Sequence, residues 1–598
     1  MLAIEVDLAA SRFSCRGISL GSVEPLIDGE VPRHPPPQVS DGAIIWELET
    51  GRAVLEIELG EVSRLRLRLE RFPAGREIHS LGLRFGSVEG VRLYLRNGYQ
   101  SWDGSFFVEP GTRAGDEPPA KAPTLGFAMT AFLPEAGDGA VLLGFTRHDR
   151  FQSRFDFGGS ADEPFFDVQT LWDGIPHGGS PTAEPLVLLE DDGVEEALRH
   201  WSRLVAAESP LPPRIRAERI TGWCSWYNLY AAIDEPTILN HLRAAADFRD
   251  ERNVPLEVFQ IDDGFTPEMG DWLEVRPQFP RGMKALLADI SNAGFVPGLW
   301  IAPFLVGNRS RLYADHPEWV VQSPGGGPLV HMKFYGEFRW HKRSEEYYVL
   351  DVTHPSAANY IRAVFRTWRR DWGARYFKTD FMNAGMEYGP KEARWHESGL
   401  SRAEIWRRMA VLIREELDDA IWLGCGCPLW ASVGFADAVR IGRDVGITWH
   451  GEYSADSLLR DQLTRNHASG ILWQADPDCV LLRDRFHELS DDEVRSLILF
   501  AGLSGGLLMT SDKLDEIRPE RAELFASLLT EQKLHCEFPQ LGSSRARLIV
   551  QRATRPDGSF FVNLFNIEET TANVTPARDD EAVLIPPHGS TLVEHGVC

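Results

Sequence analysis

Cysteine is scarce in this chain of 598 residues: seven, at positions 15, 224, 425, 427, 479, 536 and 598. Few, odd in number and scattered, they argue against a disulfide framework. No CxxC pair or HxH accompanies them, and structural zinc sites generally use such local pairs. Cys425-x-Cys427, with Cys224 and Cys479, therefore reads as buried thiols rather than as a thiolate centre. The histidines at 331, 341, 396, 450 and 467 show no ligand spacing either, so no metal and no organic cofactor is expected. Basic residues are also in deficit, 62 Lys+Arg against 88 Asp+Glu, a formal net charge of -26. Such a surface repels phosphate backbones, which speaks against nucleic acid as a partner. Long apolar runs are missing too. The longest, around Phe500–Met509, falls well short of the roughly 18–20 residues that span a bilayer. The opening MLAIEVDLAA carries Glu5 and Asp7 where a signal peptide needs a basic stretch followed by an unbroken apolar one. The expectation is a soluble, cytoplasmic protein bound to neither nucleic acid nor membrane. Whether it is a monomer or a homo-oligomer stays open.

The chain is long enough for two to four domains at roughly 150 residues each. Up to about residue 205 the pattern has period two. Val54-Leu-Glu-Ile-Glu-Leu59 and Arg64-Leu-Arg-Leu-Arg-Leu69 alternate apolar with charged residues, as half-buried antiparallel strands do. Turns rich in Gly, Pro and Asp separate such runs, which predicts a β-sandwich over 1–205. A helical stretch near Val194–Ala207 leads into Ser209-Pro-Leu-Pro-Pro213, a stiff linker within 206–218.

From Arg219 to Leu514 short apolar strands alternate with longer amphipathic segments, the signature of βα units. Eight strands are predicted: Thr221–Tyr227, Glu257–Asp262, Pro297–Pro303, Arg375–Phe381, Ile421–Cys425, Ala438–Ile441, Gly470–Gln474 and Gly506–Thr510. One intervening helix is expected from Pro355 to Trp372, with Thr353 as N-cap and Gly373 as stop. Eight units over 219–514 match a (β/α)₈ TIM barrel, whose active site lies at the C-terminal ends of the strands. Period-two strands return over 515–598. Arg547–Gln551 and Phe560–Phe565 flank Pro556-Asp557-Gly558, a hairpin in a small C-terminal antiparallel β domain.

Read as a barrel, the strand ends carry Trp223 and Trp226, Asp262 and Asp263, Trp300, Lys378 and Asp380, Cys425 and Cys427, Arg440 and Asp444, Asp476 and Asp478, and Asp512. Carboxylates that bind hydroxyls and rings that stack on C–H faces suit a sugar. Glycoside hydrolysis needs two acids flanking the bond. Asp380 is the better nucleophile, because Lys378 at i−2 shares its face and keeps it ionised. Asp444 is the better acid/base, in the more flexible segment beyond strand six. Asp262-Asp263 can both face one ligand if the chain turns at Gly264; a helix N-cap or a divalent-cation site would explain the pair equally well.

At these residues the sequence resembles the melibiase family, the α-galactosidases of glycoside hydrolase family 36. The matching segments are Asn97-Gly-Tyr-Gln-Ser-Trp102, Gly222-Trp-Cys-Ser-Trp-Tyr227, Gln260-Ile-Asp-Asp-Gly264, Gly298-Leu-Trp-Ile-Ala-Pro303, Phe377-Lys-Thr-Asp-Phe381, Arg440-Ile-Gly-Arg-Asp444 and Asp476-Pro-Asp478, in family order. The resemblance implies a retaining double displacement on terminal α-linked galactose, with Asp380 as nucleophile and Asp444 as acid/base. It further implies Asp262 and Asp263 on O4 and O6, Trp300 as a wall, Lys378 near the nucleophile, Arg440 and Cys425 on the O2 side, and Trp102 as a cap. Two departures, Met382 where relatives carry Asn and Arg443 before the acid/base, bear on the O2 subsite and the aglycone side. An α-N-acetylgalactosaminidase, a raffinose-synthase-like transglycosylase, a non-catalytic sugar binder and a metal-dependent hydrolase are the competing readings.

Overall fold

The computed structural model of the chain describes residues 5–7, 12–40, 42–112, 124–160, 164–333, 344–451, 453–543, 548–574 and 582–596. Arg547, His341 and Cys598, named above, and most of the N-terminal decapeptide lie outside these residues. The chain divides into two compact units. One comprises Met1–Pro212 with Met386–Glu392 and Glu397–Arg407; the other comprises Pro213–Gly385, Ala393–His396 and Arg408–Cys598.

In the first unit, two antiparallel sheets of seven and nine strands share one apolar core. Strands Gly51–Glu58 and Ser63–Glu70 hold the alternating runs, and they pair Leu55 with Leu67 and Glu56 with Arg66. Leu65, Leu67 and Leu69 are buried, as a period of two requires when one face is covered. The core includes Phe13, Phe85 and Phe166 from one sheet and Leu55, Phe132 and Leu143 from the other. Helix Val194–Glu208 closes the unit, with Trp201 donating its indole N–H to the Phe145 carbonyl at 3.0 Å. The segment around 386–407 enters this unit although the sequence pattern groups it with the βα region. The bidentate grip of Arg402 on Asp173, 2.8 and 3.0 Å, accounts for part of that attachment.

The second unit is built on a curled, all-parallel sheet. Its strands are β1 Thr221–Cys224, β2 Val258–Ile261, β3 Val296–Ile301, β4 Tyr376–Thr379, β5 Ile421–Gly424, β6 Ala438–Arg440, β7 Gln474–Asp476, β8 Cys479–Val480 and β9 Leu508–Thr510. They lie in the order β7-β6-β5-β4-β3-β2-β1-β9-β8. The two edge strands, β7 and β8, are separated in the chain by Pro477 and Asp478 alone. The Leu507 N–H also donates to the Ala475 carbonyl at 2.8 Å, so backbone bonds link the region of β9 to β7.

Two local expectations are corrected. The seventh strand is not Gly470–Gln474. The amides of Gly470, Ile471 and Leu472 are spent on turn carbonyls of Trp473 and Ala468, and extended pairing starts only at Gln474. The helix Pro355–Arg366 is capped by His354, whose imidazole accepts from the Ser356 N–H, while Thr353 is held by Asp351. That helix passes into a π-helical turn, Thr367–Trp372, which stops as expected at Gly373 with φ 91°.

A four-stranded antiparallel sheet, His535–Glu537, Leu548–Thr554, Phe560–Asn566 and Ser590–His595, completes this unit beside helix Asp491–Leu503. Gln551 reaches from the sheet to the Phe500 carbonyl at 2.9 Å. Among the described residues no helix is long and apolar enough to cross a membrane.

Trp223 lies on β1 but does not point at a ligand. It is fully buried, stacked on Phe259 at 4.3 Å, tilted against His241, and donates its N–H to the Asp512 carbonyl at 3.0 Å. Replacing it by alanine should cost about 3–5 kcal/mol, read as a lower denaturant midpoint. Trp223→Phe should keep the Michaelis constant of whatever reaction the protein performs.

Candidate active site

The C-terminal edge of the parallel sheet gathers most of the polar residues singled out above. Parallel register sets them side by side: Trp300 on β3 is paired with Lys378 on β4, and Arg440 on β6 with Asp476 on β7. Asp262 and Asp263 follow β2, Asp380 follows β4, Cys425 follows β5, and Asp478 occupies the break between β7 and β8. The turn anticipated at Gly264 is present, with φ 128°. A Cβ there would come within 2.8 Å of Ile233, so only glycine fits without strain.

Two buried cations organise the edge. Arg440 is 2% exposed. Its Nε donates to Asp476 at 3.0 Å, one terminal nitrogen to Asp478 at 2.8 Å and the other to Asp444 at 3.1 Å. Burial alone would lower its pKa, but Asp478 and Asp476 carry it well above the usual arginine value. Asp478 also accepts from the Val445 N–H at 2.8 Å and from the Tyr227 hydroxyl, and it sits at φ 75°. Lys378, 5% exposed, donates to Asp262 at 2.9 Å. The same Asp262 oxygen accepts from Gln260 at 2.7 Å and from the Cys224 thiol at 3.4 Å, while its other oxygen accepts from the Asp263 N–H at 2.9 Å.

The ammonium of Lys378 is thus committed to Asp262 rather than to Asp380, which changes the account of the proposed nucleophile. Asp380 is held by the Trp300 indole at 3.0 Å on one oxygen and by the Phe381 N–H at 2.8 Å on the other. Phe381 takes φ 51° to make that turn. Burial raises the Asp380 pKa most. The Lys378 charge pulls it down, the Asp444 charge pushes it up, and hydrogen bonds from Trp300 and Cys425 pull it down again. The balance lies above the ordinary aspartate value. Asp380 therefore feels the Asp444 charge. Asp444 differs in its surroundings: its side chain is 42% exposed and rests on Arg440.

The structure brings Asp262, Asp263, Trp300, Lys378, Asp380, Cys425, Arg440 and Asp444 to one edge of one sheet. Cys425 is buried, and its pKa is raised by burial and by the Asp380 carboxylate. Trp102 belongs to the other unit. It is half-buried on a turn, where its N–H donates to the Gln100 side chain at 2.7 Å. Asp512 is not part of this cluster. Its carboxylate is consumed by the Arg483 guanidinium at 2.7 Å and the Arg483 N–H at 3.0 Å. Arg443 is 3% exposed and pairs with Asp461 at 3.3 Å, so its charge is turned away from the cluster. Met382 and Asn383 are buried in a 3₁₀ turn just past Asp380. Tyr227, Gln260 and Cys224 were missed as supporting residues, although each lies inside a motif already noted.

Burial pushes the Asp478 pKa up to about 6; Arg440 pulls it down, and Asp444 and Asp476 push it up. A folded value above the unfolded one means that its protonation favours folding. That contribution is complete below the ordinary aspartate range and is lost as pH rises through about 6. Unfolding free energies of the native chain and Asp478→Asn, from denaturant melts, should therefore shift against each other between pH 4 and pH 7 by about 1–3 kcal/mol, with the native chain losing ground as pH rises.

Comparison with known proteins follows the same residues. Residues 213–410 match the melibiase family. The α-galactosidase AgaA of Geobacillus stearothermophilus is 31% identical over 107 residues, 17% of this chain and 14% of that enzyme. The probable α-galactosidase C of Aspergillus flavus is 25% identical over 268 residues, 40% of this chain and 31% of that one. The chain thus aligns in sequence with less than a third of the length of the curated relatives named here. In structure the likeness is wider. The Thermus thermophilus α-galactosidase TtGalA, solved with p-nitrophenyl α-D-galactopyranoside, superposes with a TM-score of 0.62 at 25% identity, covering 89% of this chain and 98% of that one. Residues 213–410 thus match the melibiase family, in a chain that resembles the α-galactosidases of glycoside hydrolase family 36.

Proposed function

We propose that the protein is a retaining exo-α-galactosidase that releases terminal α-linked D-galactose from small oligosaccharides of the melibiose and raffinose type. The observation that carries this is the Asp380 carboxylate, gripped by Trp300 and Phe381 and raised in pKa by burial and by Asp444, inside a melibiase match. We read the curled sheet as a (β/α)₈ barrel with its seventh strand broken into β7 and β8, and keep a three-domain division at about 205–219 and 515. TtGalA, in complex with stachyose or nitrophenyl galactoside, supports the substrate class.

In this mechanism Asp380 attacks the anomeric carbon while Asp444 gives its proton to the departing oxygen. Asp444 then takes a proton from the water that attacks the galactosyl ester, and the two displacements restore the α configuration. Two fixed hydrogen bonds orient Asp380 with little reorganisation. Asp444, half-exposed, is the group that meets the aglycone and then water. Asp262 is locked by Lys378 and Gln260, and with Asp263 it presents carboxylate oxygens to the sugar hydroxyls. Trp300 walls the ring, and Arg440 and Cys425 line the O2 side. The chemistry uses side chains alone. Six described cysteines are free and buried, which suits a reducing compartment, and we place the enzyme in the cytoplasm.

The test is nitrophenol release from α- and β-galactosides and α-N-acetylgalactosaminide. We expect turnover of the α-galactoside, with α-galactose as the first product by NMR. Asp380→Ala should lower kcat by at least about 10³-fold. A first product of β configuration, or an Asp380→Ala variant with unchanged rate, would overturn the mechanism. Turnover of the N-acetylgalactosaminide alone would move the error to the surroundings of Cys425 and Met382.

A further inference from the structure

Away from the sheet edge, three potential metal ligands converge from distant parts of the second unit. His450 follows the segment that carries Asp444; Glu569 and His588 come from the C-terminal sheet region. The Glu569 carboxylate lies 3.0 Å from His450 Nε2 and 3.2 Å from His588 Nε2, and the three ligand atoms all fall within 4.8 Å of one another. Bonds of about 2.0–2.1 Å to a tetrahedral zinc place neighbouring ligand atoms roughly 3.3 Å apart. The two measured edges are close to that already.

His588 is the fixed member. It is 6% exposed, its ring stacks on Trp449 at 4.1 Å and 11°, and its carbonyl accepts from Ser496 at 2.8 Å. Its other ring nitrogen, Nδ1, lies 2.8 Å from Glu493 Oε1. Glu493 is in turn pinned by the capping box of helix Asp491–Leu503, where its second oxygen accepts from the Ser490 N–H at 2.7 Å. In the tautomer that donates Nδ1–H to Glu493, the nearer carboxylate, Nε2 carries the lone pair and faces Glu569. This carboxylate–histidine arrangement is the outer support that metal-bound histidines generally have. An ion-pair network is the rival account, with His588 as an imidazolium between two glutamates.

We propose that His450, Glu569 and His588 form a zinc-type divalent metal site, with Glu493 positioning His588 and water completing the coordination. Two imidazoles and one carboxylate suit zinc better than calcium or magnesium, which take oxygen ligands. A metal here ties the segment behind Asp444 to the C-terminal sheet, six residues from that carboxylate. The site stands apart from the proposed glycosidase reading and does not depend on it.

The experiment uses the full, untagged chain, stripped with a chelator. Zinc is titrated against a chromophoric competitor, and cobalt(II) by its ligand-field absorption in the visible. We expect one equivalent bound, a tetrahedral cobalt spectrum, and a higher thermal midpoint with zinc. His450→Ala and Glu569→Gln, both at exposed positions, should each weaken binding at least tenfold and abolish the midpoint shift, while His535→Ala should not. Absence of stoichiometric binding, or binding unchanged in both variants, overturns the proposal in favour of the ion-pair network, whatever the galactosidase assay shows.

Discussion

Arg440 is almost wholly removed from water, and a guanidinium so placed is tolerable only if its charge and its donors are answered. Three carboxylates answer them, from β7, from the break after it, and from the segment beyond β6. The contact with Asp476 follows from parallel register. The contact with Asp478 requires the chain to leave that register, and Pro477 with the positive φ of Asp478 provides the departure. The ion cluster and the broken strand are one feature. Losing the arginine would strand two buried carboxylates, Asp476 and Asp478, a far larger cost than the bridges contribute while intact.

Lys378 does the same on a smaller scale on the other side of the cluster. Its ammonium donates to Asp262, while its charge still lowers the Asp380 pKa against the burial that raises it; the Asp380 oxygens accept from Trp300 and Phe381. The two cations fix the carboxylates around them, Asp262 on Lys378 and Asp476 and Asp478 on Arg440, while Asp380 and Asp444 are both partly exposed.

Much of this was legible in the sequence. Alternation marked the sandwich strands, and carboxylates past short apolar runs marked the sheet edge. What failed did so for identifiable reasons. A parallel strand is apolar on both faces, so its pattern does not say which way Trp223 points. The apolar Ile471-Leu472-Trp473 drew the seventh strand too early, because hydrophobicity does not reveal that those amides are used in a turn. Local spacing hid the His450, Glu569 and His588 cluster, whose members lie up to 138 residues apart in the numbering. It also hid the partner of Lys378, 116 residues upstream.

The first strand of the parallel sheet has a neighbour that arrives very late. Trp223 bonds to the carbonyl of Asp512, 289 residues onward, and β1 pairs with β9 along its length. During synthesis at ~5–20 residues per second, β1 keeps an open edge for at least ~15 seconds after it emerges. For that interval an apolar strand with unpaired amides is exposed to other chains. β1 therefore gains its second partner only when β9, the last strand of the sheet to be synthesised, has emerged, and until then the sheet stays open along that seam.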